Sequence, residues 1–310
     1  MWQSEVVTIA FVYVFVFLFG LIIGSFLNVC ITRIPEELSI VLPGSRCPRC
    51  GAAIHPLDNI PVLSWVMLGG KCRDCQEPIS AMYPAIELLT GILFLLCFMQ
   101  FGLSVTLGKW LFYTGLILVL SVTDLRTRLL PDAVTLPGLG MGLVFSAAVP
   151  PRNGVAFLLL ERFTHRALPV PVVGLADGLL GAGFAALFLW GTGRAYRAWK
   201  GRDGMGLGDV KMMAMVGAFV GLRDTLTVML LGTLLGSIGG IWMIVGLYAG
   251  GYKRGVAERA VRRGMGAVNR LRWTLARRYW IPLGTYLGVG ALLVLYLLPY
   301  LETMWMAGRH

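Results

Sequence analysis

Long stretches without a charged side chain dominate the chain. Val6–Thr32 (27 residues), Leu88–Gly108 (21), Ala133–Pro151 (19), Thr225–Tyr252 (28) and Tyr279–Leu301 (23) contain no Asp, Glu, Lys or Arg. A helix rises about 1.5 Å per residue and a hydrocarbon core is about 30 Å thick, so each stretch is enough for one span. Three shorter ones, Trp110–Thr123 (14), Gly178–Gly193 (16) and Met212–Leu222 (11), either recruit a charged neighbour at the interface or stop before crossing. One of these ends at Asp124, and another begins just after Asp209.

The pattern predicts eight helices, over 6–30, 83–101, 105–123, 133–149, 173–192, 209–222, 226–248 and 281–300. The fold class expected is an all-α polytopic membrane protein with about eight transmembrane helices and a small cytoplasmic zinc-binding loop domain. Residues 1–30 hold the first transmembrane helix, 31–82 the tetracysteine loop, and 83–310 the transmembrane core. Glu5 stands ahead of the first apolar stretch, with no basic n-region and no small-x-small cleavage site, so that stretch reads as a retained helix, not a signal peptide.

Composition agrees. Only 14% of the residues are charged, against roughly a quarter in a soluble domain, too few to cover a water-facing surface. The net charge of +11 bears first on topology. Segments 31–82, 124–132, 193–211 and 249–280 hold 21 of the 27 Lys and Arg, and by the positive-inside rule they are cytoplasmic, with both termini outside. The run Lys253–Arg278 then reads as a juxtamembrane segment against anionic membrane lipid, and no nucleic acid is expected as a partner.

Within segment 31–82, Cys47-Pro48-Arg49-Cys50 and Cys72-Arg73-Asp74-Cys75 form two C-x-x-C knuckles flanked by turn formers. Two such knuckles present four thiolates tetrahedrally to one Zn²⁺. The loop has few large apolar residues, so a metal supplies the folding energy that a core would give. Disulfides are the rival reading, disfavoured in the reducing cytoplasm. Four thiolates close the coordination shell, which makes the zinc structural; His55 is a weaker substitute ligand, and Cys30 and Cys97 read as packing residues.

Asp124 and Asp209 each stand at a cytoplasmic membrane boundary, Asp209 after the glycines of Gly204-Met205-Gly206-Leu207-Gly208. An ionisable group beside a span is a functional hypothesis by default. Two carboxylates sharing a proton can hydrolyse a peptide bond, one taking a proton from water and the other hydrogen-bonding the carbonyl. His55, His165 and His310 lie where no Ser-His-Asp or Cys-His set forms near either aspartate. Simpler roles stay open at this stage: Asp209 as a helix cap, and Asp124 paired with Arg126 or Arg128. Asp132 and Asp177 read as caps, Glu87 as a substrate-positioning group or a counter-charge to Lys71, and Lys211 as a neighbour of Asp209 or a snorkelling residue.

Taken together, these residues resemble the bacterial prepilin peptidases, the type IV leader peptidases. The matching elements run in order: Gly24-Ser25-Phe26-Leu27-Asn28-Val29 with Arg33 and Pro35; both cysteine knuckles; Asn59-Ile60-Pro61 with Leu63-Ser64-Trp65; Tyr83-Pro84 with Glu87; Asp124 with Pro131-Asp132; Gly204 to Lys211; and Ile281-Pro282 with Gly284. The resemblance implies a membrane aspartyl endopeptidase with Asp124 and Asp209 as its catalytic pair. It implies removal of the short basic leader of type IV prepilins or type II secretion pseudopilins after a glycine, at the cytoplasmic face of the inner membrane. Many members then methylate the new N-terminus from S-adenosylmethionine. The chain departs from the pattern at Leu283-Gly284-Thr285, where the family often reads Phe-Gly-Pro, and in the longer segments 150–172 and 249–280; the reading sets these departures away from the aspartates and cysteines. A presenilin-like intramembrane protease and a transporter or zinc-responsive membrane protein, with the aspartates as ion ligands, are the competing functions.

Overall fold

The computed structural model describes residues 2–151, 154–156, 169–202, 204–249, 282–300 and 304. The run Lys253–Arg278, most of 150–172 and His310 lie outside the described residues. The helices are α1 (Trp2–Arg33), α2 (Leu63–Met67), α3 (Met82–Phe101), α4 (Val105–Thr127), α5 (Asp132–Ala148), α6 (Val170–Lys200), α7 (Leu207–Ala249) and α8 (Leu283–Tyr296). Among the described residues there is no strand, only two isolated bridges in the cysteine loop. Six helices are long and apolar enough to cross a membrane, and α5, at 17 residues, is a shorter apolar helix.

The helices expected over 209–222 and 226–248 meet inside α7 at Gly221, whose φ of 79° and ψ of 177° break the helix. A side chain is strained at this φ, which is why the break falls on a glycine. Thr225 Oγ1 donates to the freed Gly221 carbonyl at 2.6 Å.

Lipid tails give helices no hydrophobic reason to associate, so close approach of small residues and internal hydrogen bonds do the joining. Gly20 and Gly24 of α1 lie against Gly91 and Glu87 of α3, Gly217 of α7 against Gly181 of α6, and Gly232 of α7 against Leu287 and Gly290 of α8. Tyr113, Ile117 and Leu120 of α4, Met212, Met213, Met215 and Phe219 of α7, and Leu287 of α8 are fully buried where these elements meet. The Tyr296 hydroxyl bridges α8 to the Leu93 carbonyl of α3 at 3.1 Å and to the Thr114 hydroxyl of α4 at 2.9 Å.

At the end opposite the cysteine loop, buried Lys109 donates to the Val149 carbonyl at 2.9 Å. Asp177 is no cap: α6 starts at Val170, and the buried Asp177 carboxylate instead accepts the Ala156 N–H at 2.8 Å.

Candidate active site and metal centre

The two cysteine knuckles are built alike. Cys47 N–H donates to the Ala52 carbonyl and Gly51 N–H returns to Cys47; Cys72 N–H donates to Glu77 and Gln76 N–H returns to Cys72, all at 2.9–3.1 Å. Gly51 and Gln76, each four residues after its first cysteine, take positive φ to close the turn. Two chain reversals of the same shape thus deliver their thiols to one point, and all four Sγ atoms of Cys47, Cys50, Cys72 and Cys75 lie within 4.8 Å of one another.

Tetrahedral Zn²⁺ with bonds of about 2.3 Å places sulfurs about 3.8 Å apart, and Cys47 Sγ and Cys75 Sγ stand 3.8 Å apart. The donor set therefore fits a metal. The N–H groups of Cys50 and Arg49 hold the Cys47 thiol down to about 6. The Glu77 N–H also favours the Cys75 thiolate, but burial and the three neighbouring thiols outweigh it and push that group up to about 12. A cation among the four sulfurs would offset the repulsion between thiolates at this spacing. His55 is not part of the cluster: its Nδ1 accepts the Leu57 N–H at 3.4 Å and caps a short turn.

The segment between the knuckles is tied together by the residues of the Asn59–Trp65 motif. Ser64 Oγ donates to Leu57 O at 2.9 Å and accepts from Ile60 N–H at 3.0 Å. Trp65 Nε1 donates to Ile79 O at 3.1 Å, and its ring lies against Gly70. Val62 adopts φ 61° and ψ −50°, with Leu63 N–H donating to Pro61 O at 2.6 Å. This is the rare positive-φ γ-turn, held here on a β-branched residue. What holds it is Glu87: buried on α3, its Oε2 accepts the Val62 N–H at 2.7 Å. Glu87 anchors the loop to the bundle, and Asn28 Nδ2 of α1, bonded to the Tyr83 carbonyl at 3.0 Å, fixes the same end of α3.

The bundle brings the two aspartates together at this same end. Asp124 sits in the last turn of α4, buried, where Arg128 ends the helix in the left-handed region and returns its N–H to the Asp124 carbonyl at 2.8 Å. Asp209 lies in the first turn of α7, half-buried, and the charges of the two carboxylates act on each other. Leu130 packs between the starts of α7 and α8: its side chain meets the positions of Gly208 on α7 and Gly284 on α8.

Gly284 leaves room for Asp124 itself, since a Cβ there would sit 3.1 Å from Asp124 Oδ2. Thr285 completes the setting, its N–H donating to Asp124 Oδ2 at 2.7 Å and its hydroxyl standing 3.0 Å from the same oxygen. Neither Arg126 nor Arg128 forms an ion pair with Asp124 among the described residues. Lys211 turns away from Asp209 and pairs with both Asp132 oxygens at 2.7 Å, so Asp132 serves as its counter-ion and Pro131 occupies the cap position of α5.

The departure at Thr285 is thus not remote from the aspartates, as the sequence suggested, but in contact with one. Nothing local marks it, because 161 residues separate Thr285 from Asp124. The Ile-Pro-x-Gly motif just before it was the one available signal.

Comparison with known proteins agrees with this arrangement. The Bacterial Peptidase A24 N-terminal domain matches residues 18–101, and the Type IV leader peptidase family matches residues 111–241. A protein of Myxococcus xanthus (strain DK1622) named prepilin leader peptidase/N-methyltransferase is 39% identical, over 75% of this chain and 63% of its own. Proteins of the same name from Aeromonas hydrophila and Pseudomonas aeruginosa are 37% and 34% identical, over 74% and 73% of this chain and 80% and 79% of theirs. No solved structure matches the chain. With both family domains in order along it, and relatives matched over four-fifths of their length, the chain belongs to the type IV leader peptidase family.

Proposed function

We propose that this chain cleaves the leader of type IV prepilins or pilin-like type II secretion subunits at the cytoplasmic face of the inner membrane, with Asp124 and Asp209 as its acid–base pair, and then N-methylates the new amine. The family and the names of the relatives support cleavage and methylation. The observation that supports the residue assignment is that Asp124 ends α4 and Asp209 opens α7 at the end of the bundle that bears the loop, with Leu130 packed on Gly208 beside Asp209 and on Gly284 beside Asp124. Six spanning helices support a multi-pass protein, and the basic loops support the cytoplasmic placement of that end.

In this reading one carboxylate is ionised and the other carries a proton. The ionised one takes a proton from water as the water oxygen bonds to the carbonyl carbon of the leader's last residue. The protonated one passes its proton to the carbonyl oxygen, giving a neutral diol. In collapse, the first carboxylic acid protonates the departing nitrogen, a diol hydroxyl returns its proton to the second, and the C–N bond breaks. Leader acid and free amine leave, and the pair again holds one proton.

Cys47, Cys50, Cys72 and Cys75 would hold one Zn²⁺, which would fold the loop without entering the reaction, its shell closed by four thiolates. S-adenosylmethionine would supply the methyl group, and methyl transfer is assigned to no residue.

The test is incubation of the purified chain with a pilin precursor, with and without S-adenosylmethionine, read by product mass. Loss of the leader by wild type but not by Asp124→Asn or Asp209→Asn is expected, with a methyl increment when the cofactor is present. Normal cleavage by either variant sinks the pair.

A further inference from the structure

Asp124 holds its two oxygens in different settings. Oδ2 receives the backbone N–H of Thr285 at 2.7 Å, and the Thr285 hydroxyl lies 3.0 Å away, its single proton shared with the Ser121 carbonyl at 2.9 Å. Oδ1 is bonded by no described donor, yet it is not one of the fully enclosed polar atoms without a partner. It is the oxygen left open.

The origin of this asymmetry is the start of α8. The first N–H groups of a helix have no carbonyl within it to bond. The residue before α8, Pro282, has no side-chain group to satisfy them. The third helical residue, Thr285, finds its acceptor on another helix instead, and Gly284 makes the approach possible because it has no side chain between them. The Thr285 N–H can only donate, so it stabilises negative charge on Oδ2 and favours the proton the pair shares on Asp124 Oδ1 or on Asp209.

We propose that Thr285 is a positioning residue for leader cleavage: it pins Oδ2 of Asp124 so that Oδ1 is the oxygen that meets water and the shared proton. The proposal rests on Asp124 being one of the catalytic pair. It assigns Thr285 no contact with substrate, so its loss acts on turnover and not on binding.

The experiment measures kcat and KM for leader cleavage in proteoliposomes for wild type, Thr285→Val, Thr285→Ala, Thr285→Ser and Asp124→Asn, with helix content and thermal unfolding of each. Valine keeps the branched shape and the backbone N–H and removes only the hydroxyl. A kcat about tenfold lower, the rate equivalent of one hydrogen bond to a charged group, with KM within about twofold, is expected. Serine restores the hydroxyl and should return kcat to within about twofold of wild type. Alanine repeats the valine result without a buried methyl, which covers the case in which valine does not fold.

The proposal is overturned if folded valine and alanine variants keep wild-type kcat, if they raise KM alone, or if serine is as slow as alanine. These outcomes are separable from failure of the catalytic pair. In that case Asp124→Asn, which keeps an acceptor oxygen for the Thr285 N–H, would itself cleave normally.

Discussion

Between Thr32 and Ala81 the only buried apolar side chains are two thiols, Cys47 and Cys72, while Val41, Leu42 and Met67 stand more than two-thirds exposed. At the aspartate end the opposite holds: Thr123, Met212, Met213 and Leu287 are almost wholly enclosed, and Asp124 is buried among them. Both regions lie at one end of the bundle, but one is organised around a metal-sized gap between sulfurs and the other by helices packed through small residues. Their failures should therefore be independent, and each can be disabled with the other left standing.

The sharpest break comes from the aspartates. Asp124→Asn and Asp209→Asn should each lower leader cleavage by at least about a thousandfold, since an amide neither accepts the water proton nor holds the shared one. Helix content, bound zinc and the protease resistance of the loop should stay at wild-type levels, because asparagine keeps the hydrogen-bond acceptor that α8 uses. Zinc loss in either variant would show that the two regions are not separate.

The reverse break starts from the metal. A strong chelator, or Cys72→Ser, should remove the loop's only core, given that structural zinc contributes about 10–16 kcal/mol in small zinc-dependent folds. Proteolysis should then cut between residues 34 and 81, while the helical signal of the bundle and its melting persist. A chelated protein with an intact, uncut loop would mean that the hydrogen bonds of Ser64 and Trp65 suffice without metal.

Glu87 is the point where the two regions touch, and its effect should be intermediate. Glu87→Gln keeps the shape and an acceptor oxygen but weakens the bond to the strained Val62 N–H, at a cost of about 1 kcal/mol, the difference between a charge-assisted and a neutral bond. Amide exchange across residues 60–66 should speed up roughly fivefold, with exchange at Asp124 and Thr285 unchanged. Equal acceleration at both places would make Glu87 a part of the bundle core and not the joint between two regions.

How much of this was legible in the chain follows the same division. The knuckles announce themselves because their geometry is local: a spacing of three residues fixes where each pair of thiols goes, and Cys47, Cys50, Cys72 and Cys75 do converge. The helices were legible from charge-free stretches, including the break in α7, although its place at Gly221 was set by backbone conformation that hydropathy does not carry. The two aspartates showed as charges at span ends, but their supports did not. Thr285, Gly284 and Leu130 reach the pair only after α4, α7 and α8 have packed, and packing between distant helices leaves no spacing in sequence. For the same reason Asp132 and Asp177 were misread as caps; each sits near a helix start, and only the fold reveals Lys211 as the partner of the first and Ala156 as that of the second.

The smallest effect belongs to the tether between the Asn59 turn and the second knuckle. Arg73 meets Asp58 with Nε and Nη2 at 2.7 and 2.6 Å, a two-pronged pair whose guanidinium is exposed and whose carboxylate is largely covered. The guanidinium hydrogen bond, and then its charge, hold the Asp58 carboxyl below the ordinary carboxylate range. A carboxylate lowered in the folded state contributes stability that is complete above its unfolded value and disappears as pH falls through its folded one. At neutral pH the tether is therefore fully formed, and acidification through the ordinary carboxylate range should leave the Arg73 Nε–H resonance in place until the lower, folded value is reached. Asp58→Asn should shift that resonance at every pH and leave cleavage within about twofold, because a surface pair contributes little and the four thiols define the loop without it. A tether that instead strengthened on acidification would have the wrong sign for a carboxylate held by an arginine, and would make Asp58 part of a hydrogen-bonded turn and not an ion pair.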